Sequence, residues 1–349
     1  MSWTRREMLT AGAASLVGLE SRSDQPESIS RPTMGVVIHS YWNRRAADKE
    51  RRFDDPFTFL DYCRSIGAGG VQTSLGVRDD AYAAKLHDLL TTHKLYLEGS
   101  IALPRDRDDV ERFTAEVRSA KRCGATLFRT VLMNGRRYEV FDSGETFRKF
   151  FEQARQALTL ARPIVEKHEV RMAVENHKDL QAPDLLDLIK KHDSPFVGVC
   201  LDTGNNIALL EAPGETVELL APHVMTTHIK DMGVEEYADG FLLAEVPLGT
   251  GFLDVPKLVA ALRRGRPALR LNLEMMTRDP LKVPCLTSKY WATLENIPGR
   301  RLAAMLALVR AKAKAPLPRI SELSKEKQLQ REDENVRLCL RYARENFEP

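Results

Sequence analysis

The chain has no Cys-x-x-Cys pair. Its five cysteines, Cys63, Cys123, Cys200, Cys285 and Cys339, are far apart and odd in number. That excludes a disulfide framework and a zinc knuckle. No apolar run approaches the length of a membrane span, which leaves none for the mature chain. There is no basic stripe: the net charge is only +3 and the signs are interspersed. This argues against a nucleic-acid partner. Missing too is a glycine-rich phosphate loop after the first β-like run, where the chain reads His39-Ser40-Tyr41-Trp42-Asn43. A doubly wound open sheet would normally carry one.

What is present starts with Thr4-Arg5-Arg6-Glu7-Met8-Leu9 and a mild apolar run from Leu9 to Leu19. Paired arginines before such a run resemble a twin-arginine export signal. A frayed basic N-terminus is the alternative. No clean Ala-x-Ala cleavage site follows, and Ser21 to Pro32 is polar and reads as a tether. Residues 1–32 are therefore expected to lie outside the fold. The export machinery is then an expected partner, carrying the chain already folded, with its metal, to the periplasm.

From there β-like and helix-like segments alternate. Strands are expected at Met34 to Ser40, Gly69 to Ser74, Leu95 to Ala102 and Thr126 to Val131. Four more end in Glu175-Asn176-His177, in Asp202, in His228-Ile229-Lys230-Asp231 and in Glu274. Helices fall between them, as at Asp55-Pro56 to Gly67, with proline in the first turn and glycine past the end. Eight such units over about 250 residues have the size of a (β/α)8 barrel. It is expected over residues 33–315, with a C-terminal helical extension over 316–349. In that extension Val336, Cys339 and Leu340 mark an apolar face. Such a face packs back on its own domain, or else makes a subunit contact and a homo-oligomer.

The most informative stretch is Val197-Gly198-Val199-Cys200-Leu201-Asp202-Thr203-Gly204-Asn205. A period of two puts Val197, Val199 and Leu201 on one face, and Gly198, Cys200 and Asp202 on the other. Large residues against helices and small ones inside suit a barrel strand. Asp202 then stands at the C-terminal end, where parallel α/β proteins place their chemistry. Glu175, Asp202 and His228 recur at steps of 27 and 26 residues, about one strand-helix unit each. The step to Glu274 is 46, so the last unit carries an insertion. An Asx turn is the plain reading of one Asp-Thr-Gly. Four such strand ends in order point to a divalent metal on Glu175, Asp202, His228 and Glu274. Three carboxylates and an imidazole suit Mn2+ first, or Mg2+, with Co2+ or Zn2+ also accepted.

Glu, Asp, His and Glu on the last four strands resemble the metal pattern of xylose-isomerase-like TIM barrel proteins. The strings Val174-Glu175-Asn176-His177, Leu201-Asp202-Thr203-Gly204-Asn205 and His228-Ile229-Lys230-Asp231 are similar to that family's. So is the glycine turn Pro247-Leu248-Gly249-Thr250-Gly251. The resemblance covers roughly residues 34 to 312. It implies a sugar isomerase or epimerase working through a metal-stabilised enediolate. Glu175 and Glu274 would then double as metal ligands and acid/base groups. The ketose 3-epimerases of the family carry Glu, His and Arg where this chain has Gln181, Asn205 and Val234. Those changes argue against that branch. Asn205 also removes a zinc ligand expected of the DNA-repair endonucleases.

His177 and Lys230 share strand parity with Glu175 and His228, and should face the mouth. With Asn205, Arg129 and His39 they form the expected substrate contacts. Gln72 is a weaker candidate. Trp42 and Trp291 could wall a sugar ring or simply pack. The expected ligand is a small carbohydrate, unphosphorylated because phosphate esters are scarce outside the cytoplasm. A keto-sugar dehydratase or lyase on the same site, and a non-catalytic sugar-binding barrel, are the alternatives.

Overall fold

In the computed structural model, residues 33–294, 296–313 and 316–347 are described. The expected export signal, residues 1–32, lies outside them. In chain order the strands are β1 (Gly35–Val37), β2 (Gly70–Thr73), β3 (Tyr96–Ser100), β4 (Leu127–Thr130), β5 (Arg171–Glu175), β6 (Val197–Asp202), β7 (Val224–Ile229), β8 (Asp231–Tyr237), β9 (Gly240–Val246), β10 (Asn272–Leu273) and β11 (Leu281–Val283). Strands β1 to β7 and β10 close a parallel barrel in the order β1-β10-β7-β6-β5-β4-β3-β2. Helices connect its strands on the outside, as a (β/α)8 architecture requires.

Short polar residues start the helices where the sequence places them. Asp55 accepts a hydrogen bond from Thr58 N, with Pro56 opening helix Pro56–Ser65. Asp79, Ser143 and Asp254 cap three further helices in the same way. The alternation in β6 sorts as expected. Val197, Val199 and Leu201 join the main core, while Cys200 meets Leu127 and Ala173 in a small separate cluster.

Two features differ from the sequence expectation. β1 ends at Val37, and Ile38–Tyr41 turns into a 3-10 helix. Ser40 explains the turn: its Oγ donates to Leu273 O at 3.1 Å and accepts from Met275 N at 3.1 Å. A side chain there replaces ladder bonds that a straight strand would make. The 46-residue step proves to hold a hairpin, β8–β9, whose register leaves Ala238-Asp239 as a two-residue loop. Asp239-Gly240 was its local signal. β11 pairs with β9 to complete a three-stranded antiparallel sheet.

Asp231 ties this insertion to the barrel. Its carboxylate accepts from Gly249 N at 3.0 Å, Gly251 N at 2.9 Å and Leu253 N at 3.1 Å. Gly249 has φ of +83°, and a Cβ on Gly251 would run into the Asp231 carboxylate. The glycine turn and the Asp of His228-Ile229-Lys230-Asp231 are thus one structural device.

The C-terminal helix, Lys325–Asn346, packs back on the barrel through Val336, Cys339 and Leu340, all in the main core. Glu332 accepts from Asn43 N at 2.6 Å and Arg44 N at 2.9 Å. Asn335 Nδ2 donates to Thr277 Oγ1 at 2.9 Å. These bonds brace the segments that follow β1 and β10. No helix among the described residues is long and apolar enough to cross a membrane.

Candidate metal centre

Register brings the four strand ends together. Asp202 closes β6 opposite His228 of β7. His228 in turn sits opposite Asn272 of β10, two residues before Glu274. Glu175 closes β5. One ligand atom from each of Glu175, Asp202, His228 and Glu274 lies within 4.8 Å of the others, and all four residues are buried.

The atoms that face inward are the ones a metal would need. Asp202 Oδ1 accepts from Gly204 N and Asn205 N, both at 2.8 Å. This is the Asx turn, and it leaves Oδ2 for the cluster. Oδ2 makes no hydrogen bond. Lys230 Nζ is 2.9 Å from it, though not in hydrogen-bonding geometry. His228 Nδ1 makes no hydrogen bond either, and lies 3.5 Å from both Glu175 Oε1 and Glu274 Oε2. Its tautomer is fixed from behind. Gln72 Nε2 donates to Glu98 Oε2 at 3.1 Å, which turns Gln72 Oε1 to His228 Nε2 at 2.7 Å. An amide oxygen only accepts, so Nε2 carries a proton and Nδ1 is the atom that faces the carboxylates. Against burial, Cys200, Glu274 and Glu175 raise the ring well above its usual value, so without a metal Nδ1 is favoured protonated, and a bound ion would take the place of that proton. Buried polar atoms left unpaired in this way are rare. The donor set fits a hard or borderline divalent cation.

Four of the five residues read as substrate contacts, Arg129, Asn205, His39 and Lys230, hold the carboxylates in this structure. Arg129 reaches Glu175 Oε2 through Nε at 2.6 Å and a terminal nitrogen at 2.5 Å. Asn205 Nδ2 donates to Glu175 Oε1 at 2.9 Å. Burial alone would raise the Glu175 carboxyl, but Arg129 and His228 beside it bring it well below the usual range. His39 Nδ1 meets Glu274 Oε1 at 2.9 Å, and Lys230 Nζ meets Glu274 Oε2 at 2.6 Å. Against burial, Lys230 and His228 hold Glu274 low in the same way. Asp202 differs: burial outweighs Lys230 and raises it.

His177 is close enough to feel the Glu175 charge, its Nδ1 has no partner, and burial pushes the ring down to about 3. A neutral imidazole there can contact a ligand oxygen. Trp291 is a packing residue, donating to Cys285 O at 2.9 Å, and Trp42 is largely exposed. Gln72 has the positioning role described above. Glu98, its anchor, escaped the sequence reading, as did Lys178, Glu245 and Arg278. Glu98 sits at mid-strand where no motif marks it, Lys178 lies just past the Val174-Glu175-Asn176-His177 string, and Glu245 and Arg278 lie in and after the insertion between β7 and β10.

Gln72→Leu is expected to keep the fold and weaken metal binding by about 10–100-fold, the usual loss for a residue that orients a ligating histidine. Competitive titration with a metal indicator measures it, and unchanged affinity would remove Gln72 from this role. Asp179, in the loop after β5, is pushed up to about 7, chiefly by burial. The native state keeps a proton that the unfolded chain releases, so this group costs stability as pH rises from about 4 to about 7. Asp179→Asn is expected to stabilise the protein above pH 7, by about 4 kcal/mol at most, and to change little near pH 4. Urea denaturation at the two pH values tests the sign.

A family model described as xylose isomerase-like TIM barrel matches residues 60–291. A 3-oxo-isoapionate decarboxylase of Pectobacterium atrosepticum is 37% identical over 113 residues, 31% of this chain and 41% of that protein. The chain therefore matches about two-fifths of that relative's length. Among solved structures, a xylose isomerase-like TIM barrel protein of Mycobacterium smegmatis in complex with magnesium superposes with TM-score 0.53 at 19% identity. It covers 79% of this chain and 98% of its own. A D-psicose 3-epimerase solved in the presence of D-fructose gives TM-score 0.59 at 12% identity, over 91% and 100% of the two chains. At these identities the structural likeness shows the fold alone.

Proposed function

The chain belongs to the xylose isomerase-like TIM barrel family, and from that premise we propose that it is a divalent-metal-dependent enzyme moving a proton at the carbon next to a carbonyl of a sugar. The observation that carries this is the convergence of Glu175, Asp202, His228 and Glu274 in one buried space, with His228 Nδ1 and Asp202 Oδ2 facing inward and making no hydrogen bond. Glu175, Asp202, His228 and Glu274 would hold the ion, which supplies Lewis acidity to neighbouring oxygens.

The two glutamates are not equivalent. Glu175 is enclosed by Arg129 and Asn205. Glu274 meets His39, whose side chain is 30% exposed. Glu274 thus has a route for proton exchange with solvent, and we assign it the base that takes the proton. Glu175, kept ionised against burial by Arg129, would hold the ion from the opposite side, and the proton that Glu274 takes is the one Glu274 returns to the neighbouring carbon. His177 orients a substrate oxygen.

Isomerisation or epimerisation is the leading reaction. The Pectobacterium relative favours a second reading, because it is by name a decarboxylase. Loss of carbon dioxide beside a ketone leaves the same enediolate that proton removal gives, so a lyase would use the same residues. Incubating keto-sugars and keto-sugar acids with metal-loaded protein in D2O tests both. Deuterium entering beside the carbonyl supports the proposal, and a panel with no exchange would overturn it.

We also propose export by the twin-arginine route, on the strength of Arg5-Arg6 and the apolar run behind them. A reporter joined to residues 1–32 should leave the cytoplasm, and should stay there when both arginines become lysine. Export of the lysine variant, or retention of the native one, would remove this reading and the expectation of an unphosphorylated substrate with it.

A further inference from the structure

The proposed chemistry leaves Lys178 unused. The residue is 4% exposed, and its ammonium donates to Asn205 Oδ1, a neutral oxygen. Among the described residues no carboxylate lies within 4.0 Å of it. Buried cations are ordinarily paired. Lys230 Nζ stands 3.4 Å from the same Asn205 oxygen, so two ammonium groups converge on one amide. Burial, with Lys230 and Arg278 nearby, brings Lys178 down to about 8. On this side the available carboxylate is Glu245, already held by Arg278 at 2.7 and 3.2 Å and lying 3.6 Å from Lys230.

Charge counting makes the point sharper. With His228 counted as neutral, Glu175, Asp202, Glu274 and Glu245 face Arg129, Lys230, Arg278 and Lys178, four formal charges of each sign. Lys230 balances Asp202 and Glu274, the carboxylates that a metal would also use. A divalent ion there, with His228 neutral as a ligand must be, leaves two positive charges in excess. In a poorly solvated interior that excess strongly favours an anion. A cavity of about 310 Å³ reaches Glu245 and Arg278, with Met275 and Asn335 also in its wall; Lys178 and Lys230 lie behind that pair and do not line it.

We propose that Lys178, Lys230 and Arg278 form an anion seat beside the metal centre, and that it takes the carboxylate of a sugar acid. This deepens the functional reading above and rests on its metal centre. A neutral sugar would leave Lys178 without a counter-charge. A phosphate ester shares the anionic oxygens, so the test separates the two.

The probes are D-gluconate, the neutral D-glucitol and D-glucitol 6-phosphate, titrated calorimetrically into protein whose Mn2+ content is fixed by elemental analysis. Gluconate should bind the loaded protein at least about tenfold more tightly than glucitol, the value of one good charge-assisted contact. Metal-free protein should show no such preference. Lys178→Met should keep its metal and its glucitol affinity and lose the preference, and Lys178→Arg should recover part of it. Equal binding of gluconate and glucitol by loaded protein overturns the seat alone. Tighter binding of the phosphate ester overturns the carboxylate assignment, and a preference already present without metal overturns the charge argument. Protein that takes up no Mn2+ instead refutes the metal centre itself, which the elemental analysis shows before any probe is added.

Discussion

Asp202→Asn should give a folded barrel that no longer holds a divalent ion. The asparagine can keep Oδ1 in place, still accepting from Gly204 N and Asn205 N, so the turn after β6 survives. What changes is the inward atom. Oδ2, which makes no hydrogen bond, becomes an amide NH2 beside the Lys230 ammonium. A ligand lone pair is replaced by a donor, and one of three carboxylate charges goes. Residues that merely orient ligands cost about 10–100-fold, so loss of a ligand itself should exceed about 100-fold in affinity. The metal-free fold should suffer little. Burial already raises the Asp202 carboxyl despite Lys230, which means that its charge is not strongly favoured without metal. Elemental analysis after dialysis and circular dichroism together decide the matter. A variant with full metal content would move the centre elsewhere.

Glu98→Ala should be the most destabilising single change near the site. Glu98 Oε2 gathers Thr226 Oγ1 at 2.7 Å, Asn272 Nδ2 at 3.0 Å and Gln72 Nε2 at 3.1 Å from three other strands of the barrel. All four residues are buried. Removing their shared acceptor strands three donors away from water, at roughly 3–5 kcal/mol. Gln72 also loses the bond that turns its oxygen to His228, so metal affinity should fall along with stability. Glu98→Gln keeps an acceptor oxygen and should cost about 1–2 kcal/mol. Urea denaturation of the metal-free proteins separates the two variants. An alanine variant no less stable than the glutamine one would show that the network contributes little.

The ligand residues were legible because strand parity and strand-helix period are local properties. Glu175, Asp202, His228 and Glu274 each close a β-like run, and the alternation of Val197, Val199 and Leu201 with Gly198, Cys200 and Asp202 already separates helix-facing from interior positions. Helix starts were equally local, since Asp55-Pro56 and Asp254-Val255-Pro256 carry their own caps. From these the barrel and the four candidate ligands follow with no long-range information.

Partner choice did not follow. Arg129, His39 and Asn205 look like free polar side chains in the sequence, and tertiary structure spends them on Glu175 and Glu274 across 30 to 235 residues. Gln72 finds His228 at a separation of 156 residues, and Glu98 reaches Asn272 at 174. Closing the barrel decides which side chains meet, because it makes β1 and β10 neighbours, and no window of sequence contains that contact. Charge balance was hidden for the same reason. Lys178 reads as one more lysine until burial removes its water and leaves a neutral amide oxygen as its partner. Composition and periodicity thus determined the architecture and the candidate ligand set, while the charge balance behind the proposed anionic ligand could be counted only once eight strand ends shared one desolvated space.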